Sequence, residues 1–245
     1  MGKNMRRAPA PDDSLIKKAF DEARDEWSEW RNEFEWSGPP CDNPLLTDSE
    51  QFRLFCREWA VSRTIRAGKR EALRERLLGS EFKVAINDHT GQALDQLNEI
   101  LKVDFGTRDG KRGIRSILSK VATVVQPQWF TAWDSYAPIG LNIVVGRNKY
   151  TCFDSYALYL CRFNSAWNQS HGERIREIIK STSTESIELE SPFQRHVMDL
   201  YLMKVGGYKS DETKTCAGCF SRANPKGRRQ SRSPDDKGRS GGAPL

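Results

Sequence analysis

Lys120 and Asp134 are the two residues whose types and surroundings could do chemistry together. They stand in "SKVATVVQPQWFTAWDSY" (119–136), where a lysine on an apolar run is followed by a proline break, three aromatics and an aspartate. Lys120 has Ile117, Leu118, Val121, Val124 and Val125 as neighbours, which puts it beside the apolar stripe of a helix. An ammonium held against apolar surface loses hydration; its pKa falls and the amine is freed as a nucleophile. The same position also allows the side chain to snorkel its charge to solvent. Asp134 opens the next helical run and can cap it by accepting free backbone N–H groups. Those bonds favour the ionised carboxylate, so a cap can also stabilise developing positive charge nearby.

Trp129, Phe130 and Trp133 lie between the two. As aromatics they fit a core, and as flat faces they fit stacking with an unpaired base. A basic approach precedes them: Arg108, Lys111, Arg112 and Arg115, against Asp109 alone in the same stretch. These residues are the expected nucleic-acid contacts.

The elements that must position these side chains read as helices. "DDSLIKKAFDEARDEWSEWRNEFEW" places Leu15, Ala19, Ala23, Trp27, Trp30 and Phe34 near a 3.6-residue period behind a capping Asp13 or Ser14. After "SGPPCDNP", a capping box from Thr47 to Glu50 predicts a second helix, with Phe52, Phe55, Trp59 and Ala60 on its apolar face. "KREALRERLL" predicts a short charged helix, and "HTGQALDQLNEILK" one with Ala93, Leu94, Leu97 and Ile100 or Leu101 inward. "IRSILSKVATVV" ends at Gln126, because Pro127 disfavours helix in the residue before it. "SYAPIGLNIVV", "TCFDSYALYLCRFNSAW", "HGERIREIIK" and "SPFQRHVMDLYLMKV" complete the set. No alternation long enough for a sheet and no internal repeat is present. The expected fold is all-α: a single compact multi-helix domain over 14–205, a flexible N-terminus over 1–13 and a flexible basic tail over 206–245.

With 245 residues, 37% of them apolar, the chain can bury one substantial core. Its net charge of +6 is unevenly placed. Residues 221–245 hold seven Lys or Arg against Asp235 and Asp236, leaving the rest close to neutral. Such a tail attracts polyanions without being an ordered site. No apolar run reaches the length of a membrane span, and the first residues lack the apolar core of a signal peptide, so a cytoplasmic protein with no membrane partner is expected. Six cysteines without an export signal read as reduced thiols. "TCAGC" (Cys216, Cys219) has the spacing of half a zinc site, but no second pair follows, and neither His171 nor His196 stands at a motif spacing. No metal or cofactor is expected.

The order of a lysine in "SKVA", an apolar helix, a Pro- and aromatic-containing loop and an aspartate opening the next helix resembles the 8-oxoguanine DNA glycosylase-like branch of the helix-hairpin-helix glycosylase superfamily. It is also similar to a group of mostly uncharacterised bacterial proteins with an "ASK…P…F…DS" block. The resemblance is firm over about thirty residues and loose from Asp48 to Trp167. It implies a DNA partner, a base flipped into a pocket, Lys120 as the nucleophile that forms a Schiff base at the sugar C1′, and Asp134 as the group that supports departure of the base. Where the superfamily has an "LPGVG"-type hairpin, this chain has "GKRGIRSILS". The alternative reading keeps the helical fold without catalysis: an interaction or regulatory module whose tail binds nucleic acid non-specifically.

Overall fold

The helix that begins the chain shows why the fold forms. In the computed structural model, which describes residues 8–59, 65, 68–106 and 114–208, α1 (Asp13–Glu29) buries Ile16, Ala19, Phe20, Ala23 and Trp27 on one face. Its cap is Asp12, one residue earlier than the expected Asp13 or Ser14; the Asp12 carboxylate accepts from the N–H groups of Ser14 and Leu15. A short α2 (Arg31–Phe34), a 3-10 turn (Pro40–Asp42) and α3 (Pro44–Thr47) follow. They lead to α4 (Ser49–Glu58), capped by Asp48 rather than Thr47. Phe52, Phe55 and Cys56 are buried there, and Trp59 is half-buried behind them.

The chain continues through α5 (Arg70–Leu77), α6 (Ser80–Asn87), α7 (Gln92–Phe105), α8 (Arg115–Val125), α9 (Ala137–Val144), α10 (Tyr156–Trp167), α11 (Ser170–Thr182), a second 3-10 turn (Ser186–Leu189) and α12 (Ser191–Val205). Among the described residues there is no strand, so the all-α expectation is met. α6 is not among the helices expected from periodicity, because it buries only Phe82, Ala85 and Ile86. In α7, Leu101 is the inward residue and Ile100 is exposed. None of these helices is long and apolar enough to cross a membrane.

α12 runs through the middle, packed against α1 on one side and α9 on another. Its residues from Phe193 to Leu202 are all buried, although Gln194, Arg195, His196 and Asp199 are polar. The α9 contact is a backbone approach. A Cβ added to Gly140 would lie 1.9 Å from the Leu202 carbonyl oxygen, and one on Gly206 would lie 2.2 Å from that of Tyr136. Gly206, Gly207 and Tyr208 close α12, and the Tyr208 ring lies 5.7 Å from that of Tyr136. α10 is capped from another helix: both Asp95 carboxylate oxygens, on α7, accept at 2.9 Å from the N–H groups of Tyr156 and Ala157.

Candidate functional site

The loop between α8 and α9 has no regular secondary structure, yet it is held residue by residue. Arg195 on α12 donates through Nη2 to the Trp129 carbonyl at 3.3 Å. The Tyr156 hydroxyl on α10 donates to the Thr131 carbonyl at 2.7 Å and accepts from the Thr131 N–H at 3.2 Å. Asp199 accepts from the Ala132 N–H at 3.3 Å, while the Tyr159 hydroxyl donates to the Ala132 carbonyl at 3.3 Å. Ser119, the residue before Lys120, accepts from the Trp133 N–H at 3.0 Å. Side chains of three helices thus supply the partners that a helix or sheet would otherwise provide.

Asp134 follows directly. Its Oδ1 accepts from the N–H groups of Tyr136 and Ala137 at 2.6 and 2.7 Å, so it caps α9. Lys120, on α8, is half-buried and donates through Nζ to the Trp59 carbonyl oxygen at 2.7 Å. Burial holds its pKa below the usual lysine range, against the opposing pull of Asp134, Asp199 and Glu26, in that order.

The three aromatics separate. Trp129 is 46% exposed and stacks on His89, with centroids 4.4 Å apart and planes 11° from parallel. Phe130 is buried and also meets His89, at 6.4 Å. Trp133 turns the other way, against Phe153, Tyr156 and Tyr159. Arg115 lies over Trp133 at 5.2 Å and pairs with Asp95 at 3.1 Å. Arg108, Lys111 and Arg112 fall outside the described residues, as do Cys216, Cys219 and the chain from residue 209.

Beneath Lys120 and Asp134 lies a polar group that sequence reasoning missed. The Asp199 carboxyl is fully buried, and its pKa is pushed up to about 7 by burial and then by Asp134. His196 and the neighbouring Thr131 and Ala132 act in the opposite direction. The Thr131 hydroxyl lies beside it without a hydrogen bond of full geometry, and Asp199 Oδ1 has no partner. Burial lowers the Arg195 pKa to about 10, and its guanidinium lies 5.0 Å from the Phe163 ring. Burial also works against His196⁺, but its hydrogen bond to Glu26 Oε2 at 2.9 Å outweighs that and raises its pKa. The one available signal was four polar residues interrupting the apolar pattern of "SPFQRHVMDLYLMKV".

Phe34, Phe130, Pro192, Arg195, His196 and Asp199 line a crevice too filled to admit a water molecule. Among the described residues, no group of three or more His, Cys, Asp or Glu is placed to hold a metal ion. The described cysteines are thiols rather than disulfides, and burial pushes that of Cys56 up to about 12. Compared with models of protein families, with curated proteins and with solved structures, the chain matches none.

Proposed function

We propose that this chain is a DNA-binding protein of glycosylase-like design that excises a damaged base through Lys120. The observation that carries the reading is the desolvated Lys120 amine in the field of Asp134. A neutral amine has two N–H bonds and one lone pair, so donation to the Trp59 carbonyl leaves the pair available. Attack on C1′ forms the N–C1′ bond, and the electrons of the glycosidic bond leave with the base, which takes up a proton. One amine proton goes to the departing base; the C1′–O4′ bond then opens, its electrons leaving on O4′, which takes the second amine proton, and the nitrogen lone pair forms the C=N bond of the imine. Asp134, whose Oδ1 accepts from the N–H groups of Tyr136 and Ala137, is the carboxylate offered to the positive charge that develops on the sugar.

One observation favours a second reading. The crevice beside Asp199 is filled, and neither Lys120 nor Asp134 is among the residues that line it. On that reading Lys120 ties α8 to the end of α4, Asp134 only caps, and the protein is a non-catalytic helical module.

Borohydride trapping on duplexes carrying a damaged base or an abasic site separates the two. The catalytic reading expects a covalent adduct that is lost in Lys120→Gln with helix content preserved. It also expects Asp134→Asn to slow adduct formation more than it lowers stability, since a cap contributes about 1 kcal/mol and transition-state electrostatics typically more. Absence of an adduct with every substrate selects the non-catalytic module.

A further inference from the structure

Cations and aromatic rings are linked in a chain of contacts that includes Trp133, the residue before Asp134. The Arg115 guanidinium lies over the Trp133 ring at 5.2 Å, Trp133 meets Phe153 edge-on at 6.3 Å, and Arg147 lies over Phe153 at 5.5 Å. The loop that supplies Phe153 and Arg147 then presents Lys149 over the Tyr150 ring at 4.9 Å, and Tyr150 is 76% exposed. Arg115 also reaches towards this loop, with Nη2 3.5 Å from the Asp154 carbonyl oxygen.

The loop is built rather than loose. Gly146 takes a left-handed φ of 68° after α9, and the Arg147 N–H donates to the Asn142 carbonyl at 2.8 Å. Asn142, buried at 1% exposure, donates through Nδ2 to the Thr151 carbonyl at 2.6 Å and so closes the loop from inside. Asn148 folds the tip, accepting from the N–H groups of Tyr150 at 3.0 Å and Thr151 at 2.9 Å. The loop over 146–155 carries Arg147 and Lys149 against Asp154 alone. Arg115 has its carboxylate in Asp95; among the described residues, neither Arg147 nor Lys149 has one within ion-pair distance.

We propose that the tip of this loop, supported from within by the ladder, forms a track for an unpaired DNA strand, with a base stacked on the open face of Tyr150 and phosphates on Arg147 and Lys149. An exposed ring beside uncompensated cations on a preformed loop is the arrangement that single-stranded nucleic acid recognises, through stacking and backbone charge together. Trp133 joins the track to Asp134 by a single peptide bond. The choice of DNA rests on the reading of Lys120 and Asp134 given above.

The test is fluorescence anisotropy of the full-length chain with a labelled short oligodeoxythymidine over a range of salt, so that the basic tail contributes equally to every variant. Tyr150→Ala is expected to weaken binding about 5- to 150-fold, the range for loss of one stacked base. Arg147→Gln and Lys149→Gln are each expected to reduce the slope of log K against log salt by about 0.7. A triple variant with unchanged affinity and slope overturns the track, as does competition by polyphosphate that is equally strong against the parent chain and Tyr150→Ala. Tighter binding of the matching oligouridine RNA overturns the assignment to DNA. Lys120→Gln is expected to bind the strand normally, so a missing borohydride adduct and a missing track are separate failures.

Discussion

Lys120 Nζ and the Trp59 carbonyl oxygen are 2.7 Å apart, which joins the middle of α8 to the residue that ends α4. The bond satisfies a backbone acceptor but does not restore the hydration the ammonium loses on folding. The Lys120 charge is thus a cost to the native state.

Lys120→Met is accordingly expected to leave stability unchanged or to raise it by up to about 2 kcal/mol. The sign in pH is fixed by the lowered folded pKa: between that value and the unfolded value near 10.5, the unfolded chain binds more protons, so wild-type stability rises with pH. Denaturant titrations on either side of that window check this, and the rise should be absent in Lys120→Met. A clear loss of stability in Lys120→Met at neutral pH would make the ammonium a structural tether.

Asp199 and His196 give the opposite slope at lower pH. An Asp raised from 3.8 to about 7 holds its proton in the folded state while the unfolded chain releases it, so its contribution falls as pH climbs through that interval and is lowest above it. His196, raised above 6.5, contributes stability that is complete below 6.5 and is lost as pH passes its folded value. Thermal melts from pH 5 to 8 should therefore show a falling Tm. Asp199→Asn, which keeps an acceptor for the Ala132 N–H, should flatten the curve and melt higher than the parent at pH 8. A Tm that rises over this range in the parent protein contradicts the arrangement.

Gly140→Ala tests the α9–α12 approach. The new methyl would lie 1.9 Å from the Leu202 carbonyl oxygen, so backbone must move, and a loss of about 3 kcal/mol or more is expected. Because α9 is the helix that Asp134 caps, adduct formation should fall as well. Unchanged chemical denaturation would mean that the two helices are farther apart than described.

Glu188 should control acid tolerance. Its carboxylate accepts from Arg24 Nε at 2.5 Å, from the Ser183 hydroxyl at 2.8 Å and from the Thr184 N–H at 2.9 Å. Burial opposes its charge, but these bonds prevail and bring the pKa down to about 2. A depressed carboxyl contributes stability that is present above 4.5 and lost as pH falls towards 2. Glu188→Gln is expected to cost about 2 kcal/mol at pH 7 and to narrow its gap from the parent protein in acid. An equal gap at both pH values would remove the ionised carboxylate from the account.

Much of the fold was legible because apolar spacing decides which face of a helix is buried. Helix ends were less so: Asp12 and Asp13, and likewise Thr47 and Asp48, are adjacent residues that can both cap, and only the path of the entering chain selects between them. Lys120 and Asp134 stood out because local sequence places one against apolar neighbours and the other at a helix start. Asp199, Arg195 and His196 did not. Their burial follows from α12 lying among α1, α9 and the α8–α9 loop, a tertiary fact that a pattern along one helix does not carry. The split of Trp129 from Trp133 has the same origin, since His89 draws one ring outward and Tyr159 holds the other.

The lacing of the α8–α9 loop by Arg195, Tyr156, Asp199, Tyr159 and Ser119 has a kinetic consequence. The Thr131, Ala132 and Trp133 amides belong to no helix, yet each donates to a side chain anchored on α8, α10 or α12. Solvent deuterium can reach them only when those anchors let go. In this irregular segment, amide exchange will therefore be as slow as in a helical core, and the peptide carrying Asp134 keeps one conformation for as long as the three helices stay together.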